Sequence, residues 1–242
     1  MPKHLLWWDS TSQDLQSLYG KILRIDIDHG YPGYAIPEDN PLVGTVGKNE
    51  IYAWGFRNPY RLSFDNDGSA RFYITAVAET FWEAIYRVDQ PGNYGWPLKE
   101  GTHCFDRTRT LNPPDACDVS DKVSTDFPIV DPVVEYANMS VHKDGSTQKT
   151  PGVGTAVVGA VMLRGDSVPG YSNHLLLADW SLDFRKPSGQ LFVAKEESGA
   201  DWPITKVGEL TTRIVAMVQD SDGSIWVMTN DNFGPYLSLI HI

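Results

Sequence analysis

Between residues 50 and 97 the chain never keeps one pattern long enough to make a helix. Ile51-Tyr52-Ala53-Trp54 runs into Gly55-Phe56-Arg57-Asn58-Pro59, and further on Phe64-Asp65-Asn66-Asp67-Gly68-Ser69 and Gly92-Asn93-Tyr94-Gly95-Trp96-Pro97 break the apolar runs again. Short aromatic and β-branched segments separated by Asp-Gly and Gly-aromatic turns are the pattern of antiparallel strands. Strands are expected at 51–54, 60–65, 70–75 and 83–88. Four strands in fewer than about fifty residues make up one β-propeller blade.

The same corner returns downstream. Asp65-Asn66-Asp67-Gly68-Ser69 and Asp220-Ser221-Asp222-Gly223-Ser224 each precede an apolar strand, 220 − 65 = 155 residues apart. Three steps of about 52 residues would cover that distance, near the roughly 40–50 of a blade. The spacing therefore predicts equivalent corners three blades apart; the plainer reading is that Asp-Gly is a common hairpin turn. Leu23, Ile25 and Ile27 alternate with Arg24, Asp26 and Asp28, which predicts a half-buried strand over 23–27. Further strands are expected at 132–136, 156–163, 173–180, 190–195 and 225–229, and a long polar insertion at 97–132. Insertions of that length are usually functional or tethered.

Composition excludes several classes. A net charge of −11 and a pI near 4.9 oppose a nucleic-acid partner, which needs clustered Lys and Arg. No apolar run is long enough for a membrane span. The six histidines, at 4, 29, 103, 142, 174 and 241, form no metal-binding pair, and no CxxC, Gly-x-Ser-x-Gly elbow, phosphate loop or dinucleotide fingerprint is present. Met1 to Trp8 lack the apolar core and small-residue site of a signal peptide. Cys104 and Cys117 sit in the insertion; in an oxidising compartment they would staple it, adding roughly 3 kcal/mol, and in a reducing one they would stay thiols. Asn138-Met139-Ser140 is a formal glycosylation sequon.

Several phrases together identify a family resemblance. Gly20-Lys21-Ile22-Leu23-Arg24-Ile25-Asp26 and Ile36-Pro37-Glu38-Asp39-Asn40-Pro41 occur in order and at matching spacing, and Gly55-Phe56-Arg57-Asn58-Pro59 and Gly92-Asn93-Tyr94-Gly95-Trp96 follow. The chain resembles the quinoprotein glucose/sorbosone dehydrogenase family, all-β proteins built as six-bladed β-propellers. The resemblance covers about 13–235 and implies an incomplete propeller of three to four blades, residues 1–12 being a linker and 236–242 a tail outside the family pattern. It implies a fragment of a longer, secreted or periplasmic protein.

The chemistry implied by the resemblance is redox chemistry. The family binds pyrroloquinoline quinone (PQQ) and calcium, oxidises a sugar by hydride transfer to the quinone, and passes the electrons to an external acceptor. Arg57 and Asn58 match its quinone-contacting pair, Arg57 having a strand-end ion pair as its plainer alternative. Arg213 aligns less closely as a further quinone contact, with a plain surface arginine as the alternative. Carbonyls of Ala78 and Glu79 fall where the family holds calcium, but Thr75-Ala76-Val77-Ala78-Glu79-Thr80 lacks the family's glycine there. Asp179 and Trp180 either line a central pocket or cap a blade. The family's catalytic histidine lies upstream of the Lys21 strand and His4 does not match it, so no catalytic residue is assigned and the chain alone is expected to be inactive. The alternative is a non-enzymatic extracellular binding module, resembling Hedgehog-interacting-protein-like relatives.

Overall fold

A computed structural model of the chain describes residues 11–117, 119, 124–139, 149–165 and 168–231, together with the backbone of 238–241. The strands, in order, are β1 (Lys21–Leu23), β2 (Ile51–Trp54), β3 (Pro59–Phe64), β4 (Phe72–Ala76), β5 (Trp82–Val88), β6 (Gly92–Asn93), β7 (Lys99–Glu100) and β8 (His103–Cys104). They continue as β9 (Val134–Ala137), β10 (Val157–Leu163), β11 (His174–Asp179), β12 (Gly189–Lys195), β13 (Ile204–Leu210), β14 (Arg213–Gln219), β15 (Ile225–Asn230) and β16 (Ser238–His241). A short 3-10 turn runs over Arg107–Arg109.

These strands form four blade-like sheets, ordered β1-β2-β6, β3-β4-β5-β9, β10-β11-β12-β13 and β14-β15-β16, with β7-β8 as a separate hairpin. Two sheets are complete four-stranded blades and two are partial, so the expected incomplete propeller is what the chain forms. The innermost strands converge: Tyr60 Oη donates to the Val215 carbonyl (3.2 Å), Ser63 Oγ to that of Ala160 (2.5 Å), and Asn66 Nδ2 to Gln219 Oε1 (2.9 Å).

β10 explains the stacking. All seven of its residues are buried, and a register shift between Val157 and Gly159 leaves apolar side chains on both faces. Val157, Ala160 and Met162 join the core shared with the second sheet, through Tyr73, Ile85 and Tyr136. Val158, Val161 and Leu163 join the core shared with the fourth, through Ile214, Met217 and Val227. A third core, around Ala53, Phe56, Tyr86 and Tyr94, joins the first sheet to the second.

Several expectations need correction. The 51–54 strand is not the first of the blade downstream of it; it belongs to the preceding sheet, and the outer strand of the second blade is β9, delivered after the 97–132 insertion. That insertion also corrects the repeat. The Asp65 and Asp220 corners do occupy equivalent places, between β3 and β4 and between β14 and β15, but two blades apart, because the insertion lengthens the second blade. The 23–27 alternation yields only Lys21–Leu23 and a bridge from Asp26 to Ala35. Ile25 and Ile27 are 41% and 78% exposed, and among the described residues no strand lies on that edge of β1 to cover them. β13 escaped notice because only its Ile204, Gly208 and Leu210 are even half-buried, as suits an outermost strand. Asn138 is buried and donates to Glu83 Oε1 (2.8 Å) and the Thr155 carbonyl (2.7 Å), so in the folded chain its amide is not open to a glycan; Ser140 of that sequon lies outside the described residues, as do residues 1–10 and 232–237. Ser12 is buried against the Trp96 carbonyl.

The Asp65 corner locks the second and third sheets. Its fully buried carboxylate takes Arg164 Nε (2.9 Å) and Nη2 (2.5 Å), while Arg164 Nη1 reaches Glu196 (2.5 Å). Arg164 keeps Glu196 when Asp65 loses its charge, so the loss is that of its charge-assisted bonds to a buried carboxylate. Asp65→Asn should therefore cost about 1.5–3 kcal/mol, read as a lowered midpoint in urea with unchanged m-value.

Candidate functional site

The loop from β2 into β3 sets the site. Gly55 has φ +80°, and a Cβ there would come within 2.5 Å of Asn93 Oδ1 and 2.8 Å of Gln13 Nε2, so only glycine lets the three segments meet. The Ser12 and Gly20 carbonyls accept from the Gly55 and Phe56 amides, and the Gly55 carbonyl accepts from Trp96 N–H (2.8 Å). Phe56 stacks on Tyr94 with centroids 4.6 Å apart. Arg57 and Asn58 then project from this anchored loop at the head of β3.

Both face a cavity of about 530 Å³, bounded also by Ser12, Tyr19, Trp96 and Arg107. Arg57 Nε donates to Glu79 Oε2 (2.7 Å) and Nη1 to the Val77 carbonyl (3.3 Å). Its Nη2 has no partner among the described residues, and the side chain is one-third exposed. Arg57 thus makes the strand-end ion pair and still offers donors to the cavity. Arg107 was not anticipated; the length of the insertion that carries it was the one available signal.

Arg213 is placed elsewhere. It is buried, not a surface arginine, with Nη1 donating to the Asp231 carbonyl (2.9 Å), Nη2 to that of Phe184 (2.9 Å) and its guanidinium 5.2 Å from the Trp180 ring centroid. It does not line the Arg57 cavity. Its place at the start of β14, as Arg57 precedes β3, puts both at the heads of innermost strands.

The 78–81 turn is organised by carboxylates. Glu100 accepts from the amides of Glu79 (2.5 Å), Thr80 (2.8 Å) and Phe81 (2.8 Å), and Glu83 from that of Ala78 (3.3 Å). The Ala78 and Glu79 carbonyls have no partner among the described residues, and among those residues no group of three His, Cys, Asp or Glu side chains could hold a metal. Two carbonyls fall short of the six to eight oxygens calcium takes, so these residues do not make a calcium site by themselves.

Behind the turn lies a buried polar seam between the second and third sheets. Glu83 also accepts from Asn138 Nδ2 (2.8 Å) and Val157 N–H (2.9 Å). Asp179 accepts from Tyr136 Oη (2.6 Å) and from the amides of Thr155 (2.9 Å) and Ala156 (2.9 Å). Asp179 is completely buried and caps the joint between blades. Burial pushes the Glu83 carboxyl up to about 8 and that of Asp179 up to about 6, against the pull of the donors around them.

In the insertion, Cys104 and Cys117 are joined as a disulfide with Cα atoms 5.1 Å apart. Phe105, next to Cys104, packs on Trp96 (centroids 4.3 Å), which carries the tether to the wall of the Arg57 cavity.

Comparison with known proteins places this geometry. Residues 7–238 match the family model described as Glucose / Sorbosone dehydrogenase. The HIPL2 protein of Arabidopsis thaliana is 30% identical over 181 residues, covering 69% of this chain and 24% of that protein. A crystal structure of glucose dehydrogenase aligns with TM-score 0.64 and 19% identity, covering 97% of this chain and 57% of that one. The PQQ-bound form of aldose sugar dehydrogenase from Streptomyces coelicolor aligns with TM-score 0.61 and 18% identity, covering 96% and 54%. The chain thus spans about a quarter of that curated relative's length and just over half of each solved structure.

The seam has a pH signature. Both carboxyls have folded-state values above their ordinary ones, so their contribution to stability is complete below about pH 4 and declines as pH rises through about 6 and then 8. Glu83→Gln removes one of the two titrations. Thermal melts from pH 4.5 to 8.5 should show a shallower decline in the variant than in the wild type.

Proposed function

The chain belongs to the glucose / sorbosone dehydrogenase family, and from that premise we propose that its Arg57 cavity is part of the quinone site of a PQQ-dependent sugar dehydrogenase. The observation that carries this is the pairing of a guanidinium that keeps an uncommitted Nη2 with a roomy cavity flanked by Trp96 and a second arginine. A cofactor with three carboxylates and a flat ring system suits such a site. Planar guanidinium groups bind carboxylates bidentately, and aromatic walls receive the ring. The name of the PQQ-bound Streptomyces coelicolor relative supports the choice of quinone.

In this reading each group has a task. Arg57 holds a cofactor carboxylate or ring oxygen, and Glu79 keeps the guanidinium aimed across the cavity mouth. The Asn58 amide supplies a neutral hydrogen bond. Arg213, at the head of another inner strand, lies outside this cavity and would act on the cofactor only through the field of its buried charge. Bound there, the quinone would accept a hydride from the substrate sugar and later yield its electrons to an external acceptor. Among the described residues no histidine lines the cavity, and the chain alone is expected to bind cofactor without turning over. The Ala78 and Glu79 carbonyls would supply two of the oxygens a calcium ion needs there, and calcium would contribute positive charge beside the cofactor. Secretion agrees with the disulfide.

PQQ titration followed by absorbance and tryptophan quenching should show saturable binding. Arg57→Ala should weaken it about 10–100-fold, the loss expected for a charge-assisted hydrogen bond, with no change in melting temperature. Absence of binding by the wild type, or indifference to Arg57→Ala, would favour the non-enzymatic binding module.

A further inference from the structure

The insertion builds a second cleft, distinct from the Arg57 cavity. Its volume is about 480 Å³, and it is lined by His103, Thr102, Pro113, Pro114, Asp115 and the Cys104–Cys117 bridge. His103 is held on two sides. Its ring lies flat on Trp82, centroids 3.8 Å apart and planes 11° from parallel, and its Nε2 is 3.0 Å from Glu135 Oε1. Glu135 is locked in turn by the Thr102 amide (2.7 Å) and hydroxyl (2.7 Å). Gly101, at φ +63°, leaves room for it: a Cβ there would overlap Glu135 Oε2. Burial alone would raise the Glu135 carboxyl, but the bonds from His103 and Thr102 outweigh it and hold the group below the ordinary carboxylate range.

This support fixes what the imidazole presents. With the Nε2 proton donated to Glu135, the neutral ring keeps its lone pair on Nδ1. Nδ1 has no partner among the described residues, and the side chain is 38% exposed. Among the described residues the cleft's other polar side chains are two acceptors, the Asp115 carboxylate and the Thr102 oxygen, whose proton goes to Glu135, and the Lys99 ammonium, which is paired with Asp131. An occupant that donates several hydrogen bonds suits His103 and these acceptors, and the nearby carboxylates disfavour an anion. Pro113 and Pro114 supply an apolar part of the lining. A molecule with a ring of hydroxyl donors and an apolar C–H face suits both.

We propose that the disulfide-walled cleft is a second binding site for a neutral carbohydrate, with a sugar ring laid on Pro113 and Pro114 and a hydroxyl donated to His103 Nδ1. The site needs neither quinone nor Arg57, and it would hold a sugar unit beside the redox cavity without reacting with it. Glu135 and Trp82 act as positioning residues, since they reach the ligand only through the imidazole.

The test is calorimetric titration of the full chain, without PQQ, using D-glucose and maltotriose, with methylammonium chloride as a cationic comparison. Saturable millimolar binding of a sugar, weakened about tenfold by His103→Ala for the loss of one hydrogen bond and one ring face, is the expected result. Asp115→Asn, an exposed substitution, should weaken it a few-fold and keeps the proposal testable should His103→Ala fail to fold. Arg57→Ala should leave sugar binding unchanged, which separates this site from the quinone cavity. Histidine ring NMR adds a direct readout: one imidazole resonance should shift on saturation and be absent from the His103→Ala spectrum. No sugar binding, binding indifferent to both cleft substitutions, or tighter binding of methylammonium than of either sugar would overturn the proposal.

Discussion

A strand without a polar face must be covered on both sides, and β10 is such a strand. Its seven residues, Val157–Leu163, are all buried, and their side chains feed the cores on either side of the third sheet. At roughly 25 cal/mol per Å² of apolar surface removed from water, leaving either face open would cost more than a domain of this size can spare. The second and fourth sheets are therefore not optional neighbours of the third. β3 shows the opposite case: Tyr60, Leu62 and Phe64 are 42%, 38% and 63% exposed, on a face that no described sheet fully covers.

Polar groups then decide how the sheets sit. Once apolar faces have made two sheets stack, register and angle are left to directional contacts, and these are concentrated at two levels. At one end Asp65, Arg164 and Glu196 tie the second and third sheets. At the other, Glu83 and Asp179 collect the backbone amides at the start of β10. Buried carboxylates are costly to desolvate, and here each is offset by several donors whose positions leave one arrangement of the blades. The same seam braces the 78–81 turn, whose Glu79 fixes Arg57, so the orientation of the Arg57 guanidinium depends on the joint between blades as well as on its own loop.

The insertion adds rigidity where a sheet cannot. The 97–132 stretch has too few apolar residues for a core of its own, and the disulfide, the β7-β8 hairpin and the Phe105–Trp96 contact hold it instead. It delivers Arg107 to one cavity and His103 to another. Loops carry function when a scaffold holds them still, and here the scaffold is the rim of a blade.

Fold class, most strand positions and the turn that carries Arg57 were legible in the sequence, because alternation, Asp-Gly corners and the Gly55–Pro59 phrase are local signals. Blade membership was not. Whether Ile51–Trp54 pairs with its upstream or its downstream neighbour, and whether the Asp65 and Asp220 corners are two or three blades apart, depend on where β9 returns after the insertion, a matter of long-range pairing. Arg213 showed the same limit: its identity and position at a strand head were visible, but its burial over Trp180 was not. Local chemistry, written in consecutive residues, determines which segments become strands and turns. Which carboxylate meets which arginine or histidine is settled only when the sheets stack, because those partners lie tens of residues apart and no local preference selects among them.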